Sequence, residues 1–343
     1  MLRFEGVAIH MKDKLSNVKF LSKLKINHIK DLQNCNPLEP FSPNVISFVN
    51  DLSEELKKDK KLNLYPDVAS FSFFCRKANI QKIKKETLSS NEKRLGRGVV
   101  FHVTPSNVPV NFAFSLLMGL LSGNVNIVKI PSKAFEQVTI IINAINRLLL
   151  KNEHKSMARR IILVNYDRKE EATKYFSLVC DVRLIWGGDN TINAVRKNTI
   201  PPRSFDVTFA DRYSLCIINS DIFINDTSPE KIALKFYNDT YLFDQNACTS
   251  PHLVVWTGNK ETVKEAQKIF WSNLYFIVSE RYALQPASVI DKLVKLYSQS
   301  IKMKNIQQIK QKDNLLFRVK VDELYKHIDQ FKSDSGYFSE IYV

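Results

Sequence analysis

The sequence predicts an α/β protein, with a doubly wound parallel sheet followed by a second α/β region. Two observations lead to this fold class. From residue 96 onward, short apolar segments of strand type alternate with segments of helical periodicity. Small, polar and glycine residues follow several of these strands, in TPSNVP, KIPS and WGGD. Ligands of parallel sheets bind beyond such strand ends, so we expect a site there.

The first 95 residues are expected to be mostly helical. Apolar residues recur at helical spacing in 43–58 and again in 71–85. Three prolines punctuate the chain at and just before the start of the first of these helices. We therefore predict a helical N-terminal region, 1–95, ahead of the sheet.

Residues 96–220 carry the regular alternation and are predicted to form one Rossmann-like domain. Strands are expected at 96–105, 124–131, 159–166, 181–188, 205–210 and 214–220, and helices at 110–123, 135–150, 170–180 and 190–197. Such alternation predicts parallel strands joined by helical crossovers.

Residues 221–343 read as a second α/β unit. Helices are expected at 228–239 and 259–275, with a strand at 252–256 between them. The remainder is expected to be helical with some strand, notably at 314–321.

Composition excludes several classes of protein. The chain has 343 residues, of which 44% are hydrophobic, enough for a sizeable core and unlike a disordered chain. No apolar run reaches the ~20 residues that span a bilayer, and no signal-peptide stretch is evident, so a cytoplasmic location is expected. The five cysteines are scattered without a CxxC pair, which indicates neither a disulfide framework nor a zinc site, and the sequence lacks the His and carboxylate clusters that metal catalysis needs.

The net charge of +15 raises the question of whether the chain binds nucleic acid. Lysines cluster at 57–61, 82–85 and 302–312, with helical spacing and little aromatic interleaving. We interpret these clusters as solvated helix faces and expect no nucleic-acid partner, while a basic nucleic-acid-binding protein remains a rival hypothesis.

Cys248 stands in FDQNACTSPHLVVW, among small polar residues just ahead of an apolar strand. This setting suits an exposed, reactive sulfur, although a small apolar filler is the common role of a free cysteine. A Cys–His dyad with His102 or His252 is a further alternative. Cys180 and Cys216 lie in apolar runs and are expected to be buried filler.

Other candidates lie after the strands of the first sheet. Asn107 could cap a helix or offer its amide to an oxyanion. Lys129 ends a very apolar strand, where it either reaches solvent or pairs with an anion. Gly187 and Gly188 form a turn ahead of a helix, which permits close approach of a phosphate but is equally a plain turn.

In this order, the motifs TPSNVP, GNVNIVKIPS, WGGD and DQNACTSP resemble the aldehyde dehydrogenase superfamily. The stretches YPDVASFSFFCRKANI and RGVVFHVTPSNVPVNFAFSLLMGLLSGNVNIVKIPS are similar to the LuxC-type acyl-CoA reductases. The resemblance covers about residues 35–343. It implies a nucleotide-binding domain with a doubly wound sheet and a second, catalytic α/β domain.

The resemblance also implies roles for single residues. Cys248 matches the catalytic cysteine, and Asn107 the asparagine that stabilises the oxyanion together with the cysteine N–H. Thr104, Lys129 and Ser132 are expected to bind the coenzyme, the last two at its adenosine ribose. A neutral Ser132, where many NAD-preferring relatives carry an acid, favours NADPH. Gly187 and Gly188 are expected beside the pyrophosphate and nicotinamide.

Thr208 departs from the family pattern, because it occupies the position of the glutamate that activates water in hydrolytic aldehyde dehydrogenases. The resemblance therefore implies an acylating enzyme, which reduces a long-chain acyl-CoA or acyl thioester to the aldehyde through a cysteine acyl-enzyme. An acyl-protein synthetase partner and a homo-oligomer are also expected, the latter if the chain is complete. Family members continue beyond SGYFSEIYV (335–343), so the alternative is a shortened, catalytically impaired member acting as a binding or assembly subunit.

Overall fold

The structure, a computed structural model, describes most of the chain. The described residues are 15, 17–22, 32, 34–88, 93–105, 108–167, 171–210, 214–226, 228–245, 247–284, 286–302 and 306–321. The chain divides into two compact units, residues 1–210 and 211–343. The sequence-based boundaries after residues 95 and 220 stay predictions of domain organisation.

The first unit contains a six-stranded sheet. Its strands are β1 Lys19–Phe20, β2 Val99–Val103, β3 Val125–Lys129, β4 Ile161–Asn165, β5 Val182–Trp186 and β6 Phe205–Phe209. The strand order is β1-β4-β3-β2-β5-β6. Strands β2 to β6 are parallel to their neighbours, whereas β1 pairs with β4 in the antiparallel sense. This short edge strand lies in the region that was predicted to be mostly helical.

Helices connect and cover these strands. They are α1 Pro43–Lys57, α2 Pro66–Phe74, α3 Lys77–Thr87, α4 Asn111–Leu121, α5 Glu136–Leu149, α6 Lys155–Ala158, α7 Ala172–Val179 and α8 Asp189–Arg196, with 3-10 turns at Leu62–Leu64 and Asn152–His154. From β2 the chain moves outward through β3 to β4, then returns to place β5 on the other side of β2. The predicted doubly wound sheet is therefore confirmed.

Alternate side chains of β2 serve opposite faces of the sheet. On one face, the Phe101 ring packs against Phe176 of α7, with 5.4 Å between centroids. On the other, His102 reaches Ser115 of α4. Both faces of the sheet are covered by helices, which explains why its central strands read as continuous apolar runs.

The helix predicted at 71–85 is wrong in one respect, because two helices occupy this stretch. α2 ends at Phe74 and α3 begins at Lys77. Two side chains that lie outside the break satisfy the freed backbone groups. Asn79 Nδ2 donates to the Phe74 carbonyl (2.8 Å), and Asn50 Oδ1 accepts from the Lys77 N–H (3.1 Å). The apolar periodicity continues through the break, so it gave no sign of these caps.

The second unit contains a parallel pair, β7 Ser214–Asn219 and β8 Pro251–Thr257, and an antiparallel hairpin, β9 Ile306–Lys312 and β10 Leu316–Val321. Its helices are α9 Ser220–Ile224, α10 Pro229–Thr240, α11 Lys260–Arg281 and α12 Pro286–Lys302, with a 3-10 turn at Tyr241–Phe243. Ile218 of β7 and Val254 of β8 pack with α10 and α11 in a core rich in aromatic rings.

The lysine-rich run 302–312 was interpreted as a helix face, and this interpretation is wrong. Most of it forms β9, which pairs with β10 across a turn with positive φ at Asp313 (50°) and Asn314 (56°). An Asp–Asn pair tolerates such backbone angles well, and they suit a tight hairpin. Among the residues that the structure describes, no helix has the length and apolar character needed to cross a membrane.

Candidate functional site

The carboxyl ends of β3, β2 and β5 lie side by side in the first unit and carry most of the predicted coenzyme residues. Lys129 ends β3, Thr104 follows β2, and Gly187 follows β5. The winding of the sheet reverses between β2 and β5, and ligands of such sheets bind at the reversal point. The fold therefore brings Thr104, Lys129 and Gly187 to one edge of the sheet.

Thr104 and Lys129 are joined through the backbone. The Thr104 hydroxyl donates to the Lys129 carbonyl oxygen at 2.5 Å, which ties the end of β2 to the end of β3. The Lys129 ammonium lies 4.3 Å from the centroid of the Tyr166 ring, a cation–π contact that holds the charge beside the sheet edge. Burial raises the pKa of Tyr166, so this phenol is neutral at physiological pH.

Ser132 lies three residues past Lys129, in the loop that leads to α5. Its side chain is exposed, as are those of Lys133 and Ala134. The loop is anchored to the end of β4, because Asn165 Nδ2 donates a hydrogen bond to the Pro131 carbonyl at 3.0 Å. Ser132 is therefore a solvent-facing hydroxyl on an anchored loop.

The Gly187–Gly188 turn requires glycine at its first position. Gly187 has φ of +150°, and a Cβ there would lie 3.1 Å from Cβ and Cγ2 of Thr191. Its N–H donates to the Phe209 carbonyl (3.1 Å), so the turn is fixed to the end of β6. Gly188 is the N-cap of α8 and accepts from the Thr191 N–H at 2.8 Å.

A buried chain of hydrogen bonds leads from this edge into the first unit. Trp186 Nε1 donates to Ser115 Oγ (3.0 Å), Ser115 Oγ contacts His102 Nδ1 (2.8 Å), and His102 Nε2 contacts Asn126 Oδ1 (3.0 Å). Asn126 Oδ1 is an acceptor, so His102 carries its proton on Nε2 and accepts the Ser115 hydroxyl at Nδ1. Gly119 leaves the space for this contact, because a Cβ there would overlap Asn126 Oδ1.

His102 is fully buried, and burial lowers its pKa to about 4, while the hydrogen bond that Nε2–H donates to Asn126 acts in the opposite direction and raises the pKa. Both ring nitrogens are engaged within the first unit. His102 is therefore a neutral structural residue, which argues against the dyad of Cys248 with His102. His252 is buried in β8 at 8% exposure.

Trp186 also forms a ring pair with Phe209. The two rings are stacked with 4.0 Å between centroids and 10° between planes. They end the adjacent parallel strands β5 and β6. Phe209 is 39% exposed, so an aromatic surface faces solvent beside the glycine turn.

In the second unit, Cys248 lies in the turn that precedes β8. The Ser250 N–H donates to the Ala247 carbonyl (2.9 Å), and the buried Ser250 hydroxyl donates to the Asp239 carbonyl of α10 (2.8 Å). Ser214, the first residue of β7, donates its hydroxyl to the Cys248 carbonyl (2.8 Å). Three hydrogen bonds thus hold the turn, while the Cys248 side chain is exposed.

The backbone just ahead of this turn is strained. Asp244 and Gln245 have φ of 49° and 58°, an arrangement that costs roughly 1–3 kcal/mol for each non-glycine residue and is concentrated at functional sites. Gln245 is 5% exposed, and among the residues that the structure describes neither its Oε1 nor its Nε2 has a hydrogen-bond partner. Asp244 accepts from the Tyr282 hydroxyl at 2.8 Å, which holds the strained segment to the end of α11.

The remaining cysteines differ from Cys248 in their surroundings. Cys75 and Cys180 are buried, and burial raises the pKa of both thiols, that of Cys180 to about 12. Cys216 is half-buried, and its pKa is raised by burial and, to a smaller extent, by Asp239. The prediction of buried filler holds fully for Cys180 and in part for Cys216.

One grouping of potential metal ligands occurs among the described residues. Asp51, Glu153 and His154 place one ligand atom each within 4.8 Å of one another. His154 Nε2 is 2.8 Å from Asp51 Oδ2, so the ring nitrogen that faces the carboxylates is already hydrogen-bonded. This group lies on α1 and the 3-10 turn ahead of α6, and we assign it a structural role.

The sequence profile of the acyl-CoA reductase (LuxC) family matches residues 9–320. The chain belongs to this family. The resemblance found in the motif order is thereby confirmed. Among curated LuxC-type relatives, the long-chain acyl-protein thioester reductase 2 of Photobacterium leiognathi is 24% identical over 200 residues, which are 54% of this chain and 40% of that protein.

A second relative is the long-chain acyl-protein thioester reductase of Photorhabdus laumondii, 25% identical over 185 residues, which cover 53% of this chain and 37% of that protein. The chain thus spans well under two thirds of the length of the LuxC-type relatives it matches.

Several solved structures, aldehyde dehydrogenases among them, share the fold of this LuxC-family chain. The enzyme of Bartonella henselae matches with a TM-score of 0.50 and 16% identity, covering 78% of this chain and 59% of that one. HpcC of Thermus thermophilus matches with a TM-score of 0.54 and 10% identity, covering 77% of this chain and 56% of that one. Betaine aldehyde dehydrogenase of Staphylococcus aureus matches with a TM-score of 0.50 and 13% identity, covering 79% of this chain and 58% of that one. That structure was determined in complex with NAD+. The predicted aldehyde-dehydrogenase-like fold is confirmed.

The fold of this LuxC-family chain groups the predicted coenzyme residues at one edge of the sheet. Two other predicted site residues, Asn107 and Cys248, are not part of this group. Asn107, with its neighbour Ser106, lies outside the described residues, so its predicted role stays a prediction. Cys248 belongs to the second unit and the coenzyme candidates to the first. The sequence reading missed the Trp186–Phe209 ring pair and the strained Asp244–Gln245 segment. The tryptophan ahead of the two glycines was the available signal for the ring pair.

Proposed function

We propose that this chain reduces a long-chain acyl thioester, carried on CoA or on a protein, to the fatty aldehyde with NADPH as reductant. The observation that carries the proposal is Cys248, an exposed thiol on a turn held by Ser214 and Ser250, in a chain of the LuxC family with the aldehyde dehydrogenase fold. A nucleophile needs this combination of a fixed backbone and a free side chain.

In the proposed reaction, the Cys248 thiolate attacks the carbonyl carbon of the thioester. The carbonyl oxygen becomes an oxyanion, which the Cys248 N–H and the Asn107 amide stabilise, an effect of about 2.7–4 kcal/mol per donor. The carbon–sulfur bond to the carrier breaks, and the carrier leaves as a thiolate. The acyl group is then held as a thioester on Cys248.

The nicotinamide coenzyme, when bound, supplies the hydride that reduces this acyl carbon. The same two donors, the Cys248 N–H and the Asn107 amide, stabilise the oxyanion of the resulting thiohemiacetal. Its collapse breaks the bond between carbon and Sγ, releases the aldehyde and returns the Cys248 thiolate. Trp186 and Gly187 lie at the sheet edge where we expect the coenzyme to bind.

The residues at that edge fit a dinucleotide. Gly187 gives a turn without a side chain, fixed by its N–H to the Phe209 carbonyl. Lys129 brings an ammonium group to the same edge, and Thr104 and Ser132 bring hydroxyls. Ser132 carries no charge that would repel a 2′-phosphate, which is our reason for proposing NADPH over NADH.

Thr208 favours reduction of a thioester over oxidation of an aldehyde to the acid. It lies on β6 opposite Ile185 of β5. In the family alignment that the motifs suggest, this is the position of the carboxylate that activates water. A threonine is a poor base at neutral pH, so we propose that the acyl thioester on Cys248 is spared from hydrolysis and is instead reduced by addition of hydride to its carbonyl carbon.

The acyl donor and partners are further parts of the proposal. The curated relatives are named for acyl-protein thioesters, and the family for acyl-CoA, so either carrier is a candidate. We propose that an acyl-protein synthetase delivers the acyl group where the carrier is a protein. Assembly of several copies of the chain is proposed on family grounds.

The test is formation of aldehyde by the purified chain from a long-chain acyl-CoA with NADPH or NADH. Aldehyde is measured by mass spectrometry and coenzyme oxidation by absorbance. We expect aldehyde with NADPH, its loss in Cys248→Ala, and its retention in Cys35→Ala, a half-buried cysteine of the first unit. Absence of aldehyde with both coenzymes, or an unchanged rate in Cys248→Ala, would overturn the proposal.

A further inference from the structure

A basic stretch of the first unit carries much of the excess charge of the chain. Residues 57–85 contain nine lysines and arginines but only two aspartates, in a chain whose net charge is +15. Asp67 is buried, and the half-buried Asp59 accepts a hydrogen bond from the Lys61 N–H (2.9 Å). The stretch therefore presents little negative charge of its own to solvent, and its field attracts an anionic partner.

Three lysines of α3 are not neutralised by neighbouring acids. Lys77, Lys84 and Lys85 are exposed, and none of them makes an ion pair with a residue that the structure describes. The pair that α3 does contain in its described part is a loose one, with 3.9 Å between Lys82 Nζ and Glu86 Oε1. Spacing of i, i+7 and i+8 places the three unpaired lysines close together on one side of the helix.

The turn between α2 and α3 adds an aromatic ring to this charged surface. Phe73 is 59% exposed. The Arg76 guanidinium lies over the ring, with Cζ 3.2 Å from the centroid, and Arg76 Nε donates to the Phe73 carbonyl (3.2 Å). Asn79 and Asn50 cap the two helix ends that meet at this turn. The ring and the guanidinium are thus held in place before a partner arrives, which lowers the entropic cost of binding.

The basic corner consists of Phe73, Arg76, Lys77, Lys84 and Lys85. The lysines alone would be a solvated helix face, but an exposed ring fixed to an arginine is typical of a protein–protein contact. The lysines favour an acidic partner by charge complementarity. Nucleic acid fits less well, because the Arg76 guanidinium occupies a face of the Phe73 ring on which a base would otherwise stack.

Another lysine stripe, on α11, differs from the basic corner in its charge. Lys260, Lys264 and Lys268 are exposed there, but the exposed Glu261 and Glu265 lie between them along the helix. These acids offset the positive charge, so we expect this stripe to remain a solvated helix face. It offers matched control positions for the basic corner.

We propose that the basic corner docks an acidic protein that carries the acyl thioester. This inference rests on the proposed function, because it takes the partner to be the carrier of the substrate. Lys77 and Lys85 lie roughly 12 Å apart along α3, at 1.5 Å per residue. Such a span suits the acidic face of a protein better than the phosphates of CoA. The inference narrows the acyl donor from CoA or a protein to a protein.

The experiment measures binding of a fluorescently labelled acyl-carrier protein, a small acidic protein, to the whole chain by anisotropy. Reduction of its long-chain thioester and of the matching acyl-CoA is measured in parallel. One docking variant reverses the charge of three lysines together: Lys77→Glu, Lys84→Glu and Lys85→Glu. A second docking variant, Phe73→Ala, removes the exposed ring.

The control variants make the same kinds of change on α11. One reverses three exposed lysines together: Lys260→Glu, Lys264→Glu and Lys268→Glu. The other is Phe276→Ala, which removes a ring that is 66% exposed. All substituted side chains in the docking and control variants are exposed, and circular dichroism checks that each variant is folded.

We expect the triple change on α3 to weaken binding of the carrier protein about 10-fold or more at low salt, and salt to reduce this difference. Phe73→Ala should weaken binding about 3- to 10-fold, as the loss of an aromatic anchor does. KM for the carrier-bound thioester should rise by similar factors, while values for acyl-CoA stay within about 2-fold of the wild type. The α11 variants should match the wild type throughout.

Absence of carrier binding by the wild type, or equal weakening in the α11 variants, would overturn the inference. Two further results would also overturn it: an equal loss of acyl-CoA reduction in the docking variants, or binding of a DNA duplex that depends on the same lysines as strongly. If acyl-CoA is reduced but the carrier protein does not bind, this inference alone falls. If binding behaves as expected but neither thioester is reduced, the proposed function falls and the docking surface stands.

Discussion

The Ser214 hydroxyl donates a hydrogen bond to the backbone carbonyl oxygen of Cys248, with 2.8 Å between the two oxygens. The bond joins the first residue of β7 to the turn that leads into its parallel neighbour β8. The two strands thus share in holding the backbone of the exposed cysteine. In the proposed reaction this backbone also supplies an oxyanion donor, so its position affects the rate of acyl transfer.

Replacement of Ser214 by alanine is expected to slow acylation of Cys248 about 3- to 10-fold. A hydrogen bond of this kind contributes about 0.5–1.5 kcal/mol, and its loss lets the turn move away from the productive position. The measurement is the rate of acyl transfer from a long-chain acyl-CoA in single-turnover conditions.

Ser279→Ala is the control for this change. The Ser279 hydroxyl donates a hydrogen bond of similar length to a backbone carbonyl, that of Phe276 (2.9 Å). This bond lies on the exposed face of α11. Its rate should equal that of the wild type. Equal slowing in Ser214→Ala and Ser279→Ala would show that the effect is one of general stability and would contradict the role of Ser214.

Introduction of a carboxylate at Ser132 is expected to reverse the coenzyme preference. In Ser132→Asp, repulsion between the new charge and a 2′-phosphate should weaken NADPH binding about 10-fold or more relative to NADH. Ala134→Asp is a matched control, since it adds the same charge two residues further along the same exposed loop. A similar change of the ratio of dissociation constants in both variants would argue against a specific contact at Ser132.

Acid is expected to destabilise the first unit through His102. Its pKa is about 4 in the folded chain and about 6.5 in an unfolded one. Between these values the unfolded state binds the extra proton, so stability is lost as the pH falls from 6.5 to 4. At pH 5 the loss is about 2 kcal/mol relative to pH 7, at ~1.4 kcal/mol per pKa unit.

Urea unfolding at pH 7 and pH 5, followed by circular dichroism, measures how much the free energy of unfolding falls between the two pH values. His102→Gln has no titrating group at this position, so its free energy of unfolding should fall by about 2 kcal/mol less between the two pH values. An identical fall in the wild type and in His102→Gln would mean that His102 does not titrate as its buried network requires.

Much of the first unit was predictable from the sequence because its local signals agree with its tertiary structure. The strand predicted at 181–188 is observed as Val182–Trp186, and the helix predicted at 190–197 as Asp189–Arg196. Both are buried on the core side, and glycines separate them. Where periodicity, burial and turn residues point the same way, the assignment is sound.

Other features could not be predicted, because distant parts of the chain determine them. The break between α2 and α3 depends on Asn50, which lies 27 residues before the N–H it caps. The run 302–312 has the composition of a helix, yet pairing with β10 makes most of it a strand. Helical spacing of lysines does not show that a segment buries an apolar helix face, so strand pairing decides the structure of this run.

The candidate site was predictable in part. The glycine turn and Lys129 are visible in the sequence at the ends of strands, and Cys248 among small polar residues ahead of a strand. The Trp186–Phe209 ring pair depends on the lateral pairing of β5 with β6, which no local pattern specifies. The positive φ angles at Asp244 and Gln245 likewise depend on hydrogen bonds to Thr240 and Tyr282.

The central claim is that Cys248 carries the acyl group, and its most direct test is the mass of the chain after incubation with a long-chain acyl-CoA in the absence of coenzyme. We predict the gain of a single acyl group, located by peptide mapping to the segment that contains Cys248 and released by hydroxylamine. No gain of mass in the wild type, or an equal gain in Cys248→Ala, would contradict the account.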